Sequence, residues 1–229
     1  MTNLNTYAKP SVAVDLAIMT VLDGRLKVLL VRRPEGDVAG YAMPGGFVRI
    51  EDSLETTVER VLAEKVGIDD VHFEQLATYG TLGRDPRGRV ISIVYLALCS
   101  ADTLQTAATG DRVLVNLLVD WSDQSGGPAR VNREGSDLSL SFDHADILGD
   151  VVQRLRGKLD YSTIAFALLP DTFTLRAVQE VHEAILARPL TKPPFRRKLL
   201  DRGLIQPTGA LEAGGAFRPA ALYELKSKD

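Results

Sequence analysis

The chain has little cysteine and no long apolar run, and these shortages exclude several classes of protein. One cysteine, Cys99, among 229 residues rules out a disulfide framework. We therefore expect a cytoplasmic protein in which Cys99 is a small buried hydrophobe. No apolar stretch approaches the roughly 20 residues of a membrane helix, and the polar segment 1–9 lacks a signal-peptide core. We therefore expect no membrane association.

Histidine is scarce as well, and the motifs of several enzyme classes are missing. His72, His144 and His182 are far apart in the sequence and lack the spacing of zinc ligands. The sequence contains no Ser-His-Asp arrangement, Walker-type glycine loop or G-x-G-x-x-G fingerprint. These absences predict a protein without a resident metal or organic cofactor.

Positive charge is concentrated near the C-terminal end. Residues 174–229 hold ten lysines and arginines against six acids, an excess of four, whereas the whole chain has a formal net charge of −3. The rest of the chain therefore carries about −7. The densest basic stretch contains Arg188, Lys192, Arg196, Arg197, Lys198 and Arg202. This asymmetry predicts a polyanion-binding module beside an acidic domain.

Apolar, β-branched segments alternate with turn residues through the first two thirds of the chain. Segments 11–22 and 26–33 are joined by Asp23-Gly24, which predicts a β-hairpin. Further strands are predicted at 42–48, 71–82, 89–100, 112–121 and 138–142. The Gly-, Ser- and Asp-rich stretch 122–136 predicts a mobile loop.

Two helices are predicted among these strands. The first is capped by Asp52 or Ser53 and ends at Gly67, a residue suited to a left-handed C-terminal position. The second extends from Asp143 to about Leu159. Strands flanked by helices on both sides predict an α/β/α sandwich.

The last part of the chain has the element order of a DNA-binding fold. An amphipathic helix at 174–186 is followed by a basic helix at 191–203, a strand, a glycine-rich loop and a last strand. This is the order of a winged helix-turn-helix. We predict an α/β protein with a sandwich domain at 1–150 and a linker helix plus winged helix-turn-helix at 151–229.

Residues 46–68 follow the spacing of a Nudix box, G-x5-E-x7-R-E-U-x-E-E-x-G-U, where U is a bulky aliphatic residue. Gly46, Arg60 and Gly67 fill their positions, and Asp52 stands at the first glutamate. This stretch resembles the Nudix family, and the resemblance implies the α/β/α sandwich of that family.

The three remaining glutamates of the pattern fall on Val61, Glu64 and Lys65. Their i, i+3, i+4 spacing places them on one helix face, where three carboxylates would form an oxygen site for Mg²⁺. Val61 cannot ligate a metal, and Lys65 adds positive charge where the cation would lie. The sequence therefore predicts a Nudix-like domain that is not an enzyme.

The degenerate box, followed by FRRKLLDRGLI (195–205) and FRPAALYEL (217–225), resembles the NrtR family of Nudix-related transcriptional regulators of NAD metabolism. Segments 84–98, 142–148 and 155–170 also resemble this family. Its members are bacterial repressors. Their Nudix domain binds a metabolite, typically ADP-ribose, and their winged helix binds operator DNA as a dimer. The resemblance implies three partners: double-stranded operator DNA, ADP-ribose or a related nucleotide as effector, and a second copy of the chain.

A diphosphate bound without metal needs fixed cations, and arginines surround the predicted Nudix loop. Phe47, like Tyr41 and Tyr79, offers a shelf for an adenine ring, and Glu64 is the one box glutamate that remains. The candidate ligand-binding residues are Arg32, Arg33, Phe47, Arg49, Glu64, Arg84, Arg87 and Arg89.

The resemblance places the family's DNA contacts on the basic helix and the wing. The candidate DNA-binding residues are Lys192, Arg196, Arg197, Lys198 and Arg218. The family wing is usually richer in arginine, but 210–217 contains no basic residue, and Pro193-Pro194 stands where polar side chains are expected. Operator affinity or sequence is therefore expected to differ from that of typical members.

Two other functions fit parts of the sequence. One is a metal-dependent ADP-ribose or nucleoside-diphosphate hydrolase with an altered metal site built from Asp52, Glu55, Glu59 and Glu64. The other is a nucleotide-binding adaptor whose basic tail engages a protein. Release of AMP from ADP-ribose would identify the hydrolase, and a gel shift separates DNA binding from the adaptor.

Overall fold

A computed structural model describes residues 6–34, 36, 38–122, 125–212 and 219–226. The strands are β1 (Ser11–Leu22), β2 (Arg25–Arg33), β3 (Gly40–Ala42), β4 (Gly45–Phe47), β5 (Phe73–Tyr79), β6 (Val90–Leu98), β7 (Arg112–Ser122), β8 (Ser125–Arg133), β9 (Ser136–Leu138), β10 (Phe173–Thr174), β11 (Ile205–Leu211) and β12 (Ala221–Leu225). The helices are α1 (Leu54–Val61), α2 (Ala101–Ala107), α3 (His144–Lys158), α4 (Leu175–Leu186) and α5 (Lys192–Asp201).

Within the described residues, nine strands form one mixed sheet of order β5-β6-β1-β2-β7-β8-β9, in which β1 and β6 are parallel. The β1–β2 hairpin pairs only from its turn to Met19 and Val28, and beyond these residues the two strands separate. Strand β4 pairs with β1 and β3 pairs with β2 inside this fork. The fork therefore opens a cleft in the middle of the sheet.

Both faces of the sheet are buried, because β1 alternates between two cores. Leu16 and Ile18 pack with α1 and α2, whereas Ala17 and Met19 pack with α3 and α4 on the other face. This arrangement confirms the predicted α/β/α sandwich. Cys99 is buried in the first core, and burial raises the pKa of its thiol to about 11.

Local signals in the sequence are confirmed where they depend on backbone geometry. Asp23 and Gly24 form the β1–β2 turn with φ of 53° and 66°. Ser53, rather than Asp52, caps α1 by accepting a hydrogen bond from the Thr56 amide at 3.0 Å. The helix continues as a π-helical turn, Leu62–Val66, which ends at Gly67 with φ of 76°.

The predicted mobile loop at 122–136 is wrong, because most of it forms strand β8, which pairs with β7 and β9. Ala129 and Val131 alternate into the core, as in an ordinary half-buried strand. Gly126 has no side chain because the Trp121 ring lies where one would be, with its Cη2 atom 3.0 Å from the ideal Cβ position. Gly126 therefore marks close packing.

Two predicted strands are shorter or divided. Segment 42–48 holds the end of β3 and all of β4, which belong to different partners. Segment 138–142 contains only the end of β9 and an isolated bridge from Leu140 to Tyr41. The chain changes partners at both places to line the fork.

The C-terminal elements form the predicted winged helix-turn-helix. Thr174 caps α4, and α5 follows after a short turn. Among the described residues, three strands make a small sheet of order β10-β12-β11, with a core around Phe173, Val178 and Leu199. Helix α3 is continuous across residue 150. In the described parts of the chain, no helix is long and apolar enough to cross a membrane.

Candidate functional site

The cleft in the fork is built around Asp15, a carboxylate within the apolar strand β1. Asp15 pairs with Gly45 of β4, and a side chain at Gly45 would collide with the Asp15 carboxylate. The Ser92 hydroxyl donates a hydrogen bond to Asp15 at 2.5 Å. The glycine thus leaves a negative group accessible in the floor of the cleft.

Arg84, in the β5–β6 connection, is the most deeply held cation of the cleft. Its Nε and Nη2 donate to the two oxygens of Asp143 at 2.8 and 2.7 Å, and Nη2 lies 3.9 Å from Asp15. The Arg84 side chain is only 4% exposed. This bidentate pair ties the cleft to Asp143, the N-cap residue of α3.

Arg87 and two aromatic rings form the outer wall. Arg87 makes a bidentate ion pair with Asp85 at 2.9 and 2.7 Å, and these hydrogen bonds lower the pKa of Asp85. Its guanidinium also lies 5.9 Å from the Phe47 ring centre and 5.4 Å from that of Phe142. Arg33 approaches Phe142 from β2 at 5.2 Å.

The segment before α3 adopts a strained conformation where it meets the cleft. Phe142 has φ of 59°, a left-handed value that is uncommon for a bulky residue. His144 accepts a hydrogen bond from the Met43 amide through Nδ1 at 3.0 Å, and its Nε2 lies 3.8 Å from Asp15. Burial lowers the pKa of His144. A neutral histidine therefore braces the wall against β1.

The Nudix loop is fixed by cations from the helix that follows it. Arg60 donates to Asp52 at 3.1 Å and to the Phe47 carbonyl at 3.0 Å. The Lys65 ammonium donates to the Gly45 carbonyl. Lys65 thereby reaches the cleft from the end of the π-helical turn.

A second basic surface lies on α5. Phe195 and Leu199 pack into the core of the winged helix, which directs Arg197 toward the opposite face. Lys192, Arg197 and Lys198 are exposed, whereas Arg196 is half-buried. The predicted contact Arg218 lies outside the described residues.

Helix α3 joins this surface to the cleft. Just after the C-terminal end of α3, the carbonyls of Leu159 and Ser162 accept hydrogen bonds from Arg202 at 3.1 and 2.6 Å. The ammonium of Lys198 binds Asp160 at 2.6 Å. One helix therefore contacts the cleft at its start and the basic helix near its end.

Comparison with known proteins identifies the family. Residues 11–120 match the NUDIX domain, and residues 165–225 match the NrtR DNA-binding winged helix domain. The ADPR responsive transcriptional repressor NtrR of Acinetobacter baylyi is 34% identical over 226 residues, which cover 97% of this chain and 85% of the relative. The chain belongs to the NrtR family.

Two further proteins are similar to this NrtR-family chain: one is a solved structure, and the other is named as an enzyme. The crystal structure of Shewanella oneidensis NrtR complexed with a 27mer DNA superimposes with a TM-score of 0.75 at 34% identity, covering 94% of this chain and 93% of that one. An ADP-ribose pyrophosphatase of Methanocaldococcus jannaschii is 37% identical over 156 residues, 66% of this chain and 78% of the relative.

The Nudix resemblance implies a divalent metal, but the donors of this NrtR-family chain do not fit one. Val61 is fully buried in the core, Glu64 is exposed, and Lys65 brings an ammonium to the loop carbonyl. Within the described ranges, no group of three or more His, Cys, Asp or Glu side chains is placed to hold a metal ion. The altered site proposed for a hydrolase, with Asp52 and Glu64 among its ligands, is therefore not assembled.

The structure brings together half of the predicted ligand-binding residues. Arg33, Phe47, Arg84 and Arg87 line the cleft. The other four do not: Arg32, Arg49 and Glu64 are exposed away from its lining, and Arg89 donates to the carbonyls of Gly80 and Thr81 at 2.7 and 3.3 Å. Neighbours on a strand point to opposite faces, which separates Arg32 from Arg33.

Sequence reasoning missed five residues of the cleft or its wall. They are Asp15, Asp85, Phe142, Asp143 and His144. A carboxylate inside an apolar strand was a readable signal for Asp15, because such a group is rarely buried without a function or a partner. The other four lie in segments 84–98 and 142–148, whose resemblance to the family marked the segments but not these individual residues.

Proposed function

We propose that this chain is a DNA-binding transcriptional repressor of NAD-metabolism genes, controlled by ADP-ribose or a related nucleotide bound in the Nudix-type cleft. One observation carries the proposal. A cleft in which Val61 and Lys65 replace two of the metal-binding glutamates is joined to a basic winged helix in one chain, and 97% of that chain aligns with an ADPR responsive repressor.

The chemistry of the cleft suits an aromatic nucleotide with a diphosphate. Arg87 and Lys65 offer donors to phosphate oxygens, and Arg33 adds a third positive charge. Phe47 is 49% exposed beside them, which leaves a ring face available for stacking against a base. Arg32, Arg49, Glu64 and Arg89 would then act outside the primary contacts.

Binding without hydrolysis follows from the donor set. Hydrolysis of a phosphoanhydride in a Nudix site needs a metal to polarise the phosphate and supply hydroxide, and Val61 and Lys65 provide no ligand for one. We expect no AMP release from ADP-ribose with Mg²⁺ or Mn²⁺. Turnover within the usual enzyme range of about 1 to 1000 per second would support the hydrolase instead.

Effector binding and DNA binding are coupled through α3 in this proposal. A diphosphate near Arg84 competes with Asp143, the residue just before α3, and the region after that helix holds Arg202 and Lys198 of the DNA-binding unit. A ligand that favours one placement of α3 shifts the population of DNA-binding conformations.

A gel shift with the region upstream of the gene and its genomic neighbours tests the repressor. We expect binding that weakens steeply with salt, as phosphate contacts require. ADP-ribose should change operator affinity, and operator DNA should change ADP-ribose affinity by the same factor. Equal ADP-ribose affinity with and without DNA would remove effector control from the proposal.

Several other features belong to the same proposal. The division between a sensing domain at 1–150 and a linker plus DNA-binding domain at 151–229 is tested by limited proteolysis of the full chain, because α3 continues across residue 150. A homodimer, the common symmetry of operator-binding repressors, is tested by sedimentation. We also propose that the chain acts in the cytoplasm, which fits a role on operator DNA, and that it holds no resident cofactor.

A further inference from the structure

Lys65 occupies a central place in the Nudix loop. Its ammonium hydrogen-bonds to the Gly45 carbonyl, and Nζ lies 4.0 Å from the position that a Cβ of Gly46 would take. Asp15 pairs with Gly45, and its carboxylate occupies the space that a Cβ at Gly45 would take. The ammonium is therefore held by a carbonyl oxygen next to a carboxylate, which is an environment that attracts a cation.

Two other cations of the cleft already have carboxylate partners, whereas Arg33 donates to the Val38 carbonyl. Arg84 is paired with Asp143, and Arg87 with Asp85. Lys65 makes no ion pair with any described residue. An ammonium has three donor hydrogens, and the Gly45 carbonyl uses one of them. Two donors and a full positive charge remain for a ligand.

The residues around Lys65 favour its ammonium over a metal ion beside the Gly45 carbonyl. Val61, one turn earlier, packs against Gly46 with its Cγ2 3.0 Å from the ideal Cβ position, so an apolar group fills the space below the loop. Glu64 is exposed and is left as one carboxylate beside a lysine. A divalent ion would have to displace or repel the Lys65 ammonium to reach the Gly45 carbonyl.

We propose that Lys65 is the cleft's built-in cation: it contacts the diphosphate of the nucleotide directly and makes that recognition independent of divalent metal. The inference rests on the proposed function, since it concerns the ligand of the same cleft. A covalently attached cation cannot be removed by a chelator, whereas a metal-bridged diphosphate is released when the metal is taken away.

Calorimetric titration of the full chain with ADP-ribose, in EDTA and in excess Mg²⁺, tests the inference. The unaltered chain should give the same affinity in both buffers within about twofold. Lys65→Met should weaken binding about tenfold or more in both, because a charged hydrogen bond is lost. Lys65→Arg, which keeps the charge, should recover most of the affinity.

Lys27→Met is the matched control, because Lys27 lies on β2 near the β1–β2 turn, away from the cleft. It should bind ADP-ribose like the unaltered chain. Binding that requires Mg²⁺, or a Lys65→Met variant that binds normally, overturns the role of Lys65 and leaves the effector proposal standing. A chain that binds no ADP-ribose in either buffer overturns both.

Discussion

The cleft and the exposed face of α5 both collect basic side chains, but they hold them in different ways. In the cleft, Arg84 and Arg87 are each fixed by two hydrogen bonds to a carboxylate before any ligand arrives. On α5, Arg197 is exposed, and Lys198 has a single partner on another segment. The cleft therefore fixes the positions of its guanidinium groups before a ligand binds, whereas α5 presents exposed charges with few partners.

This difference matches two kinds of recognition. A small nucleotide has one shape, so preorganised donors lower the cost of binding it. A DNA duplex presents repeated phosphates, and exposed arginines on a helix can reach them while others read base edges. The comparison predicts that substitutions in the cleft act on stability and effector binding, and those on α5 act on DNA affinity alone.

Removing Arg84 should have the largest effect. Arg84→Ala leaves Asp143 and Asp15 without their cation in a nearly buried site, so we expect a loss of about 3 kcal/mol in the free energy of unfolding. Urea unfolding measures it. Arg89→Ala, an exposed arginine of the same connection, should cost less than about 0.5 kcal/mol. Equal losses would mean that the cleft is not preorganised by its ion pairs.

Removing Arg197 should weaken DNA binding without changing stability. Arg197→Ala on the outward face of α5 should reduce operator affinity about tenfold and lower the salt slope by about one. Arg130→Ala is the control, since Arg130 is exposed on β8 and pairs with Asp120. A salt slope unchanged by Arg197→Ala would place the DNA contacts elsewhere.

The two regions also differ in how deeply each buries a histidine. His144 braces the cleft at 2% exposure, and His182 lies in the winged helix at 7%. Burial lowers the pKa of both, whereas the unfolded chain has an ordinary value of about 6.5. The unfolded state therefore binds more protons below about pH 7, so stability decreases as pH falls through this window and levels off below the lowered values.

Unfolding measured between about pH 7.5 and about pH 5.5 tests this dependence. His144→Gln should flatten the slope of unfolding free energy against pH, and His182→Gln should flatten it less. His72→Gln, at an exposed position, serves as control. A slope identical in all three variants would show that neither buried histidine sets the acid sensitivity in this window.

Features fixed by neighbours in sequence could be predicted. The hairpin turn depends on Asp23-Gly24, the start of α1 on Ser53, and its end on Gly67, and each acts through its own backbone or a residue within one turn. The order of elements in the winged helix followed from periodicity in the same way. Strand β8 was missed because Gly126 allows close packing against Trp121, which no local pattern reveals.

The cleft could be predicted only in part, because its contacts join distant segments. Arg84 and Asp143 are 59 residues apart, and Asp15 and Ser92 are 77 apart. Arginines near the Nudix loop were expected, but the sequence could not tell that the fork selects Arg33 over Arg32. Asp143 and Asp15 were missed because they come from elements far from Arg84 in the sequence, whereas Asp85 was missed although it is two residues from Arg87.

Asp160 should have the smallest effect, and it tests whether α5 is restrained from outside. Asp160→Asn frees Lys198. Because the side chains of Asp160 and Lys198 are well exposed, at 79% and 64%, we expect DNA binding to be only about two- to threefold tighter at low salt and unchanged at high salt. Asp171→Asn removes the same charge at another exposed position of this region. Equal tightening by both would reduce the effect to net charge. In a Lys198→Met background the gain should vanish, since the two residues then have no interaction to break.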